Sequence, residues 1–126
     1  MQTKRVLVVD DEDTIQRVIQ VCLEDIAGWE VLVADSGQVA LTLSETERPD
    51  GILLDVSMPG MNGVEVLQQL RSLPSTRQIP VAFLTAKVQP EDREQFAQLG
   101  IAGLIVKPFD PIALVEQVAE VFGWQL

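Results

Sequence analysis

The chain has 126 residues, 47% of them hydrophobic, which suits one domain with a substantial core rather than a disordered segment. A net charge of −10 argues against direct contact with nucleic acid or an anionic membrane, and no apolar run approaches the ~20 residues that cross a bilayer. Histidine is absent, which removes histidine-based metal or acid–base chemistry, and Cys22 is the only cysteine, which removes an internal disulfide and fits a reducing cytoplasm.

Met1 to Arg5 enter a strand within a few residues, so no leader with a small-residue cleavage site is expected. Arg5-Val6-Leu7-Val8-Val9 is an unbroken apolar run of the kind buried on both faces of a sheet, and it ends in Asp10-Asp11-Glu12-Asp13. Ile15, Val18, Ile19, Cys22 and Ile26 then recur at helical spacing, with Asp13 as the expected N-cap and Gly28 as the stop. Cys22 lies on that stripe and reads as core.

Residues 30–34 give a second strand. Asp35-Ser36-Gly37 turns into a helix carrying Val39, Ala40 and Leu43, and Pro49-Asp50 leads into a third strand over 51–54. That strand ends in Asp55 and the turn-forming Val56-Ser57-Met58-Pro59-Gly60-Met61-Asn62-Gly63. Val64, Leu67, Leu70 and Leu73 mark a third helix, stopped at Pro74.

A fourth strand over 80–84 follows, with proline at its tolerated start, and it runs into Thr85-Ala86-Lys87. Pro90-Glu91-Asp92 opens a helix with Phe96, Ala97 and Leu99, ending at Gly100. The fifth strand, 102–106, ends in Lys107-Pro108. Asp110-Pro111 opens a last helix with the stripe Ile112, Val115, Val118, Ala119 and Phe122. Leu114 and Val121 lie off that stripe and read as half-buried, the alternative being a contact patch. Trp29 and Trp124 read as packing over an edge.

Five strands alternating with five helices imply an α/β fold, a doubly wound five-stranded parallel sheet over residues 1–126 as one domain. In the order 2-1-3-4-5, Asp10 and Asp11, Asp55, Thr85 and Lys107 all fall on the carboxyl rim, where open sheets of this kind bind their ligands. Three carboxylates so close repel one another unless a cation intervenes, and an all-oxygen set with open positions suits Mg²⁺. Asp10 to Asp13 lack the glycine and closing glutamate of an EF-hand loop. A hard cation beside a lysine and a hydroxyl has the parts to handle phosphoryl oxygens, and an aspartate can itself be the nucleophile.

Asp10-Asp11, Asp55 with Met58-Pro59 and Gly63, Thr85-Ala86, and Lys107-Pro108-Phe109 occur in order, each set at or just beyond a strand end. On these residues the whole chain resembles the receiver domain of two-component response regulators, in its stand-alone, chemotaxis-regulator-like form with a flavodoxin-like (βα)5 fold. The resemblance implies that Asp55 accepts a phosphoryl group from a histidine kinase or histidine phosphotransfer protein. It further implies that Asp10, Asp11, Asp55 and the backbone carbonyl of Ser57 hold Mg²⁺, and that Thr85 and Lys107 contact the phosphoryl oxygens.

A protein target would be met on the face of helix 4, strand 5 and helix 5, where a homodimer would also form. No output domain, and no enzymatic activity beyond self-phosphorylation and slow self-dephosphorylation, is expected. Lys107-Pro108 matches a peptide bond that is typically cis in this family; without the resemblance a trans bond has the better base rate.

Leu104 departs from the family, which carries an aromatic there that turns inward as the threonine moves. By the same resemblance Ser57 and Lys87 would border the approach of water to the phosphorus, and neither is a carboxylate or carboxamide suited to orienting it; slow loss of the phosphoryl group is therefore expected. Other readings fare worse. An aspartate-nucleophile phosphohydrolase would want an acid at position 57 and a substrate cap. A flavin or nucleotide binder would want glycines and amides where the first strand ends in acids. A degenerate binding module would not need the intact five-residue set.

Overall fold

The computed structural model describes residues 3–86 and 89–126. Five parallel strands, β1 (Arg5–Val9), β2 (Glu30–Ala34), β3 (Gly51–Asp55), β4 (Val81–Thr85) and β5 (Gly103–Val106), lie in the order β2-β1-β3-β4-β5. Between and after them run α1 (Asp13–Ala27), α2 (Gly37–Glu47), α3 (Gly63–Ser72), α4 (Pro90–Ala97) and α5 (Leu114–Phe122). Among the described residues no helix is long and apolar enough to cross a membrane.

Side chains of a strand alternate between faces, so each apolar run feeds two cores. Val6, Val8, Leu53, Ala82, Leu84 and Ile105 pack with the buried residues of α1 and α5. Leu7, Val9, Ile52, Leu54, Val81 and Phe83 pack with those of α2, α3 and α4. Both faces are therefore covered, which is why the central strands read as continuous apolar stretches. Phe83 meets Phe96 of α4 edge to face, with centroids 5.3 Å apart.

The helix stripes differ from the sequence expectation where packing, not period, decides. Ile26 is 62% exposed, whereas Leu23 is fully buried. The 15 residues of α1 reach about 22 Å, past a five-residue strand of about 17 Å, so the last turn overshoots the sheet. In α2, Val39 is exposed and the inner face is Gly37, Ala40 and Ser44. Small residues are needed there, because a Cβ on Gly37 would lie 2.9 Å from both Met61 Sδ and Val66 Cγ2. In α3 the buried positions include Val66, with Val64 and Leu73 only partly covered.

Residues 111–113 form turns, so α5 starts at Leu114. Ile112 is left 86% exposed, and Leu114, expected to be half-buried or part of a contact patch, is fully buried. Val121 is half-buried and faces Gly103. Asp13 is the first residue of α1, and Glu12 stands at the cap without a side-chain cap bond. In α4 the helix ends at Ala97, which is exposed, and Gly100 takes the left-handed conformation beyond it. Trp29 packs edge to face on Trp124 at 5.2 Å, at the end of the sheet away from the strand carboxyl ends.

Candidate functional site

The strand register brings the candidate residues to one level. Val9 pairs with Leu54, so Asp10 and Asp55, the next residues, stand side by side where β1 and β3 end. Asp55 pairs with Leu84, so Thr85 follows one step further along β4, and Thr85 pairs with Val106, after which comes Lys107. The core thus delivers each polar side chain by anchoring the apolar residues just before it.

Carboxylate oxygens of Asp10, Asp11 and Asp55 lie within 4.8 Å of one another. Asp10 is fully buried and Asp55 is 4% exposed, while Asp11 faces solvent. The Lys107 ammonium donates to Asp10 Oδ2 at 2.8 Å and lies 3.5 Å from Asp55 Oδ1. Burial, and then the charge of Asp10, push the Asp55 carboxyl above its ordinary range, against the opposing pull of Lys107 and the Ser57 amide. Burial alone would lower Lys107, but its hydrogen bond to Asp10 and the charges of Asp10 and Asp55 outweigh that and raise it.

The backbone around the rim is also held. The Ser57 amide donates to Asp55 Oδ1 at 3.2 Å, and the Glu12 amide to Asp10 Oδ1 at 2.9 Å. Gln16, which the sequence reading passed over, donates its side-chain amide to the Asp10 carbonyl and so ties the first turn of α1 to the rim. Its signal was only its place on the inward edge of that turn. Gly63, noted as part of a motif, proves to be a contact residue. Its amide donates to the Val56 carbonyl at 3.0 Å, and a Cβ there would stand 2.7 Å from the Asp55 carbonyl oxygen.

Thr85 is buried at the end of β4, and its carbonyl accepts from the Lys107 amide at 2.9 Å. The Lys107–Pro108 bond is cis. Leu104 is partly buried and packs against the core that contains Phe96. Ser57 is exposed beside Asp55; Lys87 lies outside the described residues. Three carboxylates facing one ammonium leave an excess of negative charge on hard oxygen donors, a set that fits Mg²⁺ and leaves room for other oxygens.

Residues 6–119 match the family described as the response regulator receiver domain. The chain is 42% identical over 108 residues to the alkaline phosphatase synthesis transcriptional regulatory protein PhoP of Bacillus subtilis, covering 86% of this chain and 44% of that protein. It spans about half the length of several such curated relatives.

Among solved structures, the chemotaxis response regulator CheY4 of Vibrio cholerae aligns with a TM-score of 0.88 at 34% identity, covering 95% of this chain and 99% of that one. The receiver domain of the sensor histidine kinase PA1611 from Pseudomonas aeruginosa PAO1, described with a magnesium ion coordinated in its active site cleft, aligns with a TM-score of 0.84. That match is 29% identical and covers 97% of this chain and 99% of that one.

Proposed function

Because this chain belongs to the response regulator receiver domain family of two-component signalling, we propose that it acts as a phosphorylation switch with Asp55 as its acceptor. The observation that carries the reading is the meeting of Asp10, Asp11 and Asp55 within 4.8 Å, with the Lys107 ammonium against two of them. An oxygen of Asp55 attacks the phosphorus of a phosphohistidine on a histidine kinase or phosphotransfer protein. The P–O bond forms as the P–N bond breaks, and the imidazole nitrogen keeps the electron pair and takes up a proton.

Asp10, Asp11, Asp55 and the backbone carbonyl of Ser57 would hold Mg²⁺, which neutralises charge on the phosphoryl oxygens when bound. The buried walls of the rim exclude bulk water from Asp55, and the Ser57 amide steadies the carboxylate it donates to. Thr85 and Lys107 each take a phosphoryl oxygen, and Lys107 thereby exchanges part of its hold on Asp10. That exchange loads the end of β5 and alters the α4–β5–α5 face, where a protein target or a second copy docks. With Leu104 in the usual aromatic position, the change propagates by repacking of an apolar side chain against Phe96 and its neighbours. The chain catalyses only its own phosphorylation and slow dephosphorylation, and its one buried, unbridged thiol suits the cytoplasm.

Incubation with a small acyl-phosphate donor and Mg²⁺ tests this reading. One phosphoryl group per chain, released by hydroxylamine as an acyl phosphate should be, is expected; no uptake, or uptake that hydroxylamine leaves in place, overturns it.

Mg²⁺ should also stabilise the fold, by about 2.7 kcal/mol at 100 times its dissociation constant. Asp11→Ala should lose most of that gain, since Asp11 is the exposed member of the cluster and its loss leaves the core untouched. A denaturation midpoint indifferent to Mg²⁺ at constant ionic strength would count against the site.

A further inference from the structure

We propose that the groove between the last turn of α1 and the start of α5 is a docking surface for a basic amphipathic helix of a protein partner. Among the described residues six large apolar side chains are exposed, and three of them, Ile26, Ile112 and Leu126, line this one groove at 62%, 86% and 57% exposure. Val115 and Trp29 continue its apolar floor, and its volume is about 520 Å³. Such clustering is what scattered surface residues do not do. None of Asp10, Asp11, Asp55, Thr85 or Lys107 lines it, so it is separate from the proposed acceptor site; no residue of α4 or β5 lines it either, and it shares only the first turn of α5 with the switching face.

Charge selects the occupant. Glu116 lines the groove, Glu24 and Asp25 stand exposed on the turn of α1 that carries Ile26, and no lysine or arginine is among the lining residues. The nearest basic side chain in sequence, Lys4, is held over the ring of Trp124 at 5.2 Å. A second copy of the chain would bring its own net charge of −10 against this acidic rim. A segment with lysine or arginine flanking its apolar anchors meets the rim with the opposite sign. Two walls are helix side chains, Ile26 and Ala27 on one and Val115 and Glu116 on the other; Thr3, Gln125 and Leu126 close the rest, and no lining residue belongs to a strand. An entering backbone finds no open strand edge there and must satisfy its own hydrogen bonds, as a helix does.

The test uses the whole chain and a synthetic amphipathic peptide with leucine at i, i+3, i+4 and i+7 and lysine on its outer positions. Saturable binding is expected, followed by tryptophan emission and by amide shifts centred on Ile26 and Val115. Ile112→Ser and Glu116→Lys should each weaken it by about tenfold, and the same peptide with glutamate in place of lysine should not saturate. The proposal is overturned if the two variants bind as the natural chain does, if the shifts centre on Asp10 and Asp11, or if the acidic peptide binds equally. In sedimentation Ile112→Ser should leave the oligomeric state of the free chain unchanged; a dimer that it dissolves would make a second copy the occupant and overturn the proposal as well.

Discussion

Asp55→Asn is expected to take up no phosphoryl group where the natural chain takes up one, and yet to resist denaturant better in metal-free buffer. The carboxamide keeps the shape of the side chain and removes the nucleophilic oxygen, so acceptance is lost without a packing defect. The stability gain follows from charge. Asp10 and Asp55 are both buried and share one ammonium, which sits closer to Asp10. Burial and Asp10 raise the Asp55 carboxyl, which means that its charged form costs the fold at neutral pH. Replacing a poorly compensated buried charge by a neutral group of the same shape stabilises on the order of 1 kcal/mol.

With saturating Mg²⁺ the ranking should reverse, because the natural chain then gains a third carboxylate ligand that the variant lacks. Mass spectrometry after phosphodonor treatment and urea denaturation with and without Mg²⁺ read both halves. Stoichiometric labelling of the variant would sink the acceptor assignment, and a metal-free midpoint below that of the natural chain would sink the electrostatic account.

Gly63→Ala should be among the most damaging single-methyl additions to this chain, lowering stability by roughly 1–3 kcal/mol, the usual cost of overpacking, and slowing phosphoryl uptake as well. The added Cβ would stand 2.7 Å from the Asp55 carbonyl oxygen and 2.8 Å from Val56 Cα, both backbone atoms that no rotamer change can move away. The start of α3 must retreat, straining the Gly63–Val56 hydrogen bond and displacing the peptide that carries the acceptor.

Gly60→Ala, in the same loop, is the matched control. It has open space for a Cβ but a φ of +81°, so only the left-handed backbone penalty of about 1 kcal/mol applies. Denaturation midpoints and initial labelling rates of the two variants separate steric displacement of the site from loop strain. Equal effects on both readouts would mean that the close approach of α3 does not position Asp55.

The polar rim was legible without a structure because its logic is local to each strand. An apolar run buried on both faces announces itself, and the residue after it must emerge at the sheet's end, so Asp10, Asp55, Thr85 and Lys107 could be assigned to one edge from five runs and their order. The strand bounds shifted by a single residue at most, as at β4 and β5, where hydrogen-bond register and not hydropathy sets the ends. What period and composition could not decide is how far each helix travels past the sheet and how closely it approaches. Ile26 and Ile112 match a helical stripe, yet both stand in solvent. The last turn of α1 runs beyond the strands, and α5 does not begin until Leu114, which the shifted start places fully in the core.

Gly37 and Gly63 read in sequence as turn formers. Their need for a bare Cα comes from Met61 and Val66 in one case and from the Asp55–Val56 backbone in the other. The sequence by itself therefore determined which strands are buried and which polar groups crown them, because those follow from each segment's own pattern. Only the tertiary structure decided that Lys107 sits closer to Asp10, at 2.8 Å, than to Asp55, at 3.5 Å, that Gln16 braces the rim, and that three exposed apolar side chains share one groove. Each of these depends on contacts between distant segments, which no local period encodes.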